Sequence, residues 1–428
     1  MSEMDQVLKD QKKYMARSGE VSYVKKGFAR GQGAELIDYD GKRYIDMLSS
    51  ASSANLGHGN AEIAEAVYEQ MSNISQYTYA YFPMREPIDL AKRLSQMVQT
   101  ETAGLIGDTG ENFKVAYSAT ASASIDGAIK FARGFTGRPY LLSHIDNYHG
   151  STYGAISLSA VSLNMRRKIG PLLPGVFHFD FPNLYRKPTG LTDSEYVEQC
   201  LAQITKAFNS FLPPEEVAAF FIEPIQGDSG IVVPPVEYLT GLYKLLKEYG
   251  ILLVSDETQQ ALGRTGKLFA LSHFGIQADL YVMGKSLGAG LPMGAVVGKA
   301  SAMDSLSAPA HLFTLGGTSS VAAGALKALD IYQREQIFQQ STEKGEYMLG
   351  KLRELQEQHP TIGDVRGIGL SIGVELVKDR TTKEKNYEAA AKISWYTMQK
   401  GLLFTFVGQS VMRVQPPLVI TYEQIDKA

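Results

Sequence analysis

The chain has 428 residues, 44% hydrophobic and 20% charged, the balance of a globular enzyme too long to be built on one core. Its net charge of −3, from 42 basic and 45 acidic residues, gives no footprint for nucleic acid or for an anionic membrane surface. One cysteine, Cys200, excludes an internal disulfide and points to a reducing, cytoplasmic setting, and the seven histidines show no metal-ligand spacing.

In chain order, "MSEMDQVLKDQKKYMARSG" is charged and helix-like, without the apolar region of a secretion signal, and no later run reaches membrane-spanning length. Residues 34–47 alternate apolar and polar around Asp40-Gly41, the signature of a hairpin. From about residue 60, helical and strand-like segments alternate. Buried strands are expected at 113–118, 139–144, 217–225, 251–257, 279–285 and 294–298, with helices such as 122–134 and 236–249 between them. This alternation implies crossover connections and a mainly parallel α/β sheet with helices on both faces. After about residue 320 come a long helical stretch (320–358), "VRGIGLSIGVELVKD", a helix over 383–400 and short strands near 402–406 and 411–414. The expected division is an N-terminal segment (1–59), a large domain (60–320) and a smaller α+β domain (321–428), the first packing with the last.

Sites on parallel sheets lie at the carboxyl ends of the strands. Lys285 follows the strand-like Tyr281-Val282-Met283 and precedes a Gly/Ala/Ser-rich stretch that leaves nothing bulky around it. A desolvated amine is partly neutral and nucleophilic, which imine formation requires, although a lysine snorkelling from a strand end would read the same way. Asp256 ends another apolar run, 29 residues earlier, and a carboxylate there suits a protonated pyridine nitrogen. "YSATASASIDGAIKFARGFTGR" (117–138) is a strand, a run of small residues and a helix, whose start suits a phosphate; an ordinary N-capped helix would carry the same residues. Tyr148 in "NYHG" offers a flat ring for a planar cofactor, as would many a core tyrosine. No G-x-G-x-x-G joins a strand to a helix, which disfavours a nicotinamide enzyme.

In this order, a small-residue loop, an aromatic, an aspartate and a lysine, the chain resembles the class III (ω-) aminotransferases of pyridoxal-phosphate fold type I. The likeness runs from "LGHGN" (56–60) to "RVQPPLVI" (413–420) and is specific at "DETQQALGRTG" and "DLYVMGKSLGAGLPMGAV". It implies that pyridoxal 5'-phosphate is the cofactor and that Lys285 is its Schiff-base lysine. By the same match Asp256 faces the ring nitrogen, Gln259 the 3-hydroxyl, and Tyr148 stacks on the ring. Thr314 in "HLFTLGGT" would reach the phosphate of a neighbouring subunit, in a homodimer or a dimer of dimers. Arg413 in "MRVQPPL" matches the arginine that binds a substrate α-carboxylate, a position a structural arginine would also fill; Tyr148 would touch the substrate too. The family continues with a closing helix after "PPLVIT", so a shortened helix is expected before Ala428.

Two departures stand out. Where the family's phosphate loop reads Ser-Gly-x-Glu-Ala-x-Glu, this chain has Thr120-Ala121-Ser122-Ala123-Ser124-Ile125-Asp126, which leaves Ala121 and Ser122 as backbone donors and the Ser122 hydroxyl as a further one. Where most members have glutamate after Gln-Gly, "IEPIQGDSG" has Asp228. A carboxylate there, opposite the lysine, would supply a second base, and two opposed bases are sufficient for inversion at Cα. The chain is similar in this to the racemase and epimerase subgroup that includes isoleucine 2-epimerase and α-amino-ε-caprolactam racemase. It shares with that subgroup "IDGAIKFARGFTGRPY", "NYHGSTYGAISLSAVS" and "MRRKIGPLLPGVFHFDFPNLYR". The resemblance implies racemisation of neutral aliphatic α-amino acids with Lys285 and Asp228 as bases. The alternative is an aminotransferase acting on 4-aminobutyrate or another ω-amino donor.

Overall fold

The apolar runs assemble into three sheets in the computed structural model, which describes residues 2–21 and 24–428. The first sheet holds β1 (Phe28–Gln32), β2 (Glu35–Asp38) and β3 (Arg43–Asp46). β2 and β3 are the expected hairpin; Asp38 accepts the Asp40 and Lys42 N–H groups, and Gly41 takes the positive φ (83°) that its turn requires. β1 carries no clear alternation and was not foreseen.

Seven strands form the central sheet: β4 (Phe113–Ser118), β5 (Tyr140–His144), β6 (Val176–Phe179), β7 (Val217–Ile222), β8 (Leu252–Asp256), β9 (Leu280–Met283) and β10 (Gly294–Lys299). Their order is β4-β10-β9-β8-β7-β5-β6, and only β10 runs against its neighbours. Every residue of β7, β8 and β9 is buried, because helices cover both faces. Alternation sorts the faces. Phe221 packs with Ile125, Ala128 and Phe131 of the helix Ala121–Thr136, whereas Phe220 and Ile222 pack with Tyr238, Leu239 and Leu242 of the helix Val236–Glu248.

The third sheet is β11 (Ile362–Ile368), β12 (Ser371–Leu376), β14 (Thr405–Val407) and β15 (Val411–Val414), all antiparallel. A short β13 (Leu402–Leu403) pairs in parallel with β3, joining the N-terminal hairpin to the C-terminal part of the chain. The stretch 320–358 is not one helix. It divides into Ser319–Arg334 and Ile337–Gln358 at Gln336, whose φ of 52° no right-handed helix accommodates. The chain closes with a short helix, Tyr422–Lys427, carrying a Thr421–Gln424 capping box. Among the described residues no helix is long and apolar enough to cross a membrane, and no group of three or more His, Cys, Asp or Glu could hold a metal ion.

Candidate active site

The parallel strands deliver their exit loops to one edge, where a cavity of about 370 Å³ opens. Ala121, Ser122, Tyr148, Asp228, Asp256, Gln259 and Lys285 all line it. Of the residues expected at the site, only Arg413 and Thr314 do not. Arg413 reaches the cavity indirectly, by an ion pair with Asp228. Thr314 is exposed, its carbonyl accepting from Gln76 and Thr78, away from its own chain's cavity.

Lys285 begins a 3₁₀ turn (Lys285–Gly288) with a φ of 45°, beyond the end of β9. A side chain on Gly284 would come within 2.5 Å of the Ala121 Cβ, so only glycine lets β9 end against the start of helix Ala121–Thr136. Burial holds the Lys285 ammonium below the ordinary lysine range; the Asp228 carboxylate opposes that shift most, Arg413 adds to it, and Asp256 and Glu223 oppose it further. A shift in that direction favours the neutral, nucleophilic form.

Asp256 is 4% exposed, with Oδ2 2.7 Å from His149 Nδ1 and Oδ1 accepting the Thr258 N–H at 3.1 Å. The Asn147 amide donates to His149 Nε2 at 2.8 Å, which leaves the ring proton on Nδ1 to bond Asp256. Tyr148, half-buried, presents its ring at the cavity, and its N–H donates to Glu223 at 2.7 Å. Gln259 lies against Gly227: a side chain there would sit 2.0 Å from Gln259 Oε1. A larger residue before Asp228 would push the Gln259 amide out of this position.

At the phosphate-loop position Thr120 caps the helix by accepting the Ala123 N–H, and the first-turn N–H groups of Ala121 and Ser122 have no intrahelical partner. The Ser122 hydroxyl is otherwise engaged. It accepts the Ser151 and Thr152 N–H groups at 2.9 Å and lies 2.9 Å from Thr152 Oγ1, so it ties down the turn after Gly150. The helix start therefore offers an anion backbone donors and a positive dipole end, with the expected hydroxyl spent elsewhere.

Asp228 lines the same cavity, its Oδ1 2.6 Å from Arg413 Nη1 on β15. Arg413 is 6% exposed and its Nε has no partner among the described residues. Two buried contributors escaped the sequence reading: His149, although it adjoins Tyr148 in "NYHG", and Glu223, which follows β7 and lines the cavity. Adjacency to a strand end was the one available signal for each.

This donor set fits pyridoxal phosphate: an amine for the aldehyde carbon, a tethered carboxylate for the ring nitrogen, and helix-start N–H groups for the phosphate. Comparison with known proteins agrees. The class-III aminotransferase family model matches residues 15–428. The isoleucine 2-epimerase of Lentilactobacillus buchneri is 41% identical, over 100% of this chain and 93% of that protein, and the leucine/methionine racemase of Thermococcus litoralis is 38% identical, over 99% and 93%. Among solved structures, the taurine:2-oxoglutarate aminotransferase of Bifidobacterium kashiwanohense, in complex with PLP and glutamate, superimposes with a TM-score of 0.90 at 28% identity, over 100% of this chain and 96% of that one. The chain belongs to the class-III aminotransferase family, whose cofactor is pyridoxal 5'-phosphate.

Proposed function

We propose that the chain is an amino-acid racemase or epimerase that inverts Cα of neutral aliphatic α-amino acids, similar to isoleucine 2-epimerase, with Lys285 and Asp228 as its two bases. The observation that carries this reading is the Asp228 carboxylate lining the same cavity as Lys285 and exerting the largest charge effect on its amine. The likeness to an epimerase and a racemase over nearly the whole chain supports it.

When bound, the cofactor supplies an electron sink that acidifies the substrate's Cα–H. Asp256, oriented by His149, would keep the proton on the ring nitrogen, while Gln259 would attend the 3-hydroxyl and Tyr148 would stack on the ring and border the substrate. Ala121 and Ser122 hold the phosphate by their N–H groups. Arg413, held to Asp228 through Nη1, binds the substrate's α-carboxylate with the rest of its guanidinium. Lys285 removes or returns the Cα proton on one face and Asp228 on the other.

We infer further that Thr314 completes the phosphate site of a second copy in a homodimer. Support comes from the apolar side chains exposed near it, Tyr77, Phe82 and Leu315, which a monomer would leave in water. A cytoplasmic setting agrees with the single, buried Cys200. An aminotransferase is the second reading, favoured by the fold's likeness to a taurine:2-oxoglutarate aminotransferase.

Proton NMR of the cofactor-loaded protein with L-isoleucine in D2O, without a keto acid, separates the two. Loss of the α-proton signal with appearance of D-allo-isoleucine is the expected result. Exchange without the D-allo product assigns an aminotransferase.

A further inference from the structure

Asp228 sits on a short loop whose position is not fixed by its own strand. Gln226 and Val232 pair across its base, and the Gly230 and Ile231 N–H groups fold back onto the Gly227 carbonyl. What holds this loop relative to the cavity comes from elsewhere. Glu223, the residue after β7, is 7% exposed and faces the cavity. Its Oε2 accepts the Gly227 N–H at 2.9 Å, and its Oε1 accepts the Tyr148 N–H at 2.7 Å. One carboxyl thus bridges the exit loops of the neighbouring strands β5 and β7. Gln226 Nε2, donating to the Ile145 carbonyl at 2.8 Å, repeats the bridge lower down. On the far side Arg366 of β11 donates to the Gly230 and Ile231 carbonyls, its remaining nitrogen held by Asp364 and Glu375.

We propose that Glu223 is a positioning residue for inversion: by accepting the Gly227 and Tyr148 N–H groups together, it sets the distance between the ring-stacking tyrosine and the second base. Its chemistry matches the task. A carboxylate accepts two N–H groups with its two oxygens, whereas a glutamine offers one acceptor and turns its other end, a donor, against an N–H. Burial pushes the Glu223 carboxyl up to about 7, the cost of placing it where only backbone amides serve it.

The inference rests on the two-base reading, and the test keeps the two apart. Glu223→Gln is loaded with cofactor and compared with the unaltered enzyme in D2O, starting from L-isoleucine and, separately, from D-allo-isoleucine. A shift of about 1 Å in a reacting group costs about 100-fold, so inversion in both directions is expected to fall by about that factor. Exchange with retention survives in the one epimer whose α-proton faces Lys285. Backbone amide hydrogen exchange, followed by mass spectrometry over 223–232 and 145–150, is expected to quicken by about tenfold as local opening becomes easier. Glu223→Asp, which keeps the charge but cannot span both amides, gives the same partition to a lesser degree and serves if the glutamine variant does not fold.

An inversion rate within about twofold of the unaltered enzyme overturns the proposal. So does a loss shared equally by both exchange reactions, and so does unchanged amide exchange in both segments. If the unaltered enzyme gives no D-allo product, the functional reading falls, and the amide-exchange comparison alone then decides the role of Glu223.

Discussion

The two walls of the cavity are built on opposite principles. The wall carrying Asp256 is dry and closed: Asp256, His149 and Asn147 are at most 4% exposed and form one chain of hydrogen bonds beneath the sheet's edge. The wall carrying Asp228 is partly open, its side chain 29% exposed, and its loop is held by residues from another sheet. A buried, fully satisfied network fixes a charge in place, which suits a group that holds one proton throughout. A carboxylate at the rim, paired on one oxygen, keeps the other free to take and give a proton. On the proposed two-base reading, orientation belongs to the first wall and exchange to the second.

That contrast breaks most severely at Lys285, which serves both walls. Lys285→Ala is expected to lower inversion and α-proton exchange together by about 10⁴-fold or more, read by NMR, and to abolish the visible absorbance of lysine-linked cofactor. Asp228→Asn attacks the open wall alone. Inversion is expected to fall by about 10²–10⁴-fold, while cofactor affinity, measured by absorbance titration, is unchanged. His149→Ala attacks the dry wall through its tether, and an oriented partner of this kind is worth roughly 10–100-fold. Here cofactor affinity and inversion are expected to weaken together, so an effect on inversion alone would sink the division between the walls.

The last expected effect concerns stability rather than rate, at a buried histidine near the dry wall. His144 is buried at the end of β5, bonded to the Tyr238 hydroxyl, and burial pulls its pKa from 6.5 to about 3. The unfolded chain takes up a proton below about pH 6.5 and the folded one does not, so stability is lost as pH falls from there toward 3. Relative to His144→Gln, urea unfolding should show a loss approaching about 1.4 kcal/mol per pH unit over that window. Parallel pH profiles of the two proteins would show that water reaches this wall.

Much of this architecture was legible in advance. Largely buried sheet strands read as short apolar runs, so β4, β5, β7, β8, β9 and β10 announced themselves, and the groups at or just past the ends of β9 and β8, Lys285 and Asp256, came with them. The amphipathic pattern of 320–358 continues across the break at Gln336, because periodicity reports which face is buried and is blind to a single left-handed residue. The direction of β10 was not readable either, since an apolar strand looks the same in both directions. Ser122 was expected to add its hydroxyl to its backbone N–H at the phosphate. Its engagement with Ser151 and Thr152 depends on how the next strand's exit loop returns across the helix start.

The sequence by itself determined the chemistry: a lysine, an aspartate and a small-residue helix start, each a local pattern bound to a strand end. Only the tertiary structure decided the partnerships. His149 meets Asp256 across 107 residues, Glu223 meets Tyr148 across 75, and Arg413 meets Asp228 across 185. The physical reason is that a strand or helix is specified by periodicity over a few neighbouring residues. A hydrogen bond between two exit loops is specified by the order of strands in the sheet, to which no local pattern refers.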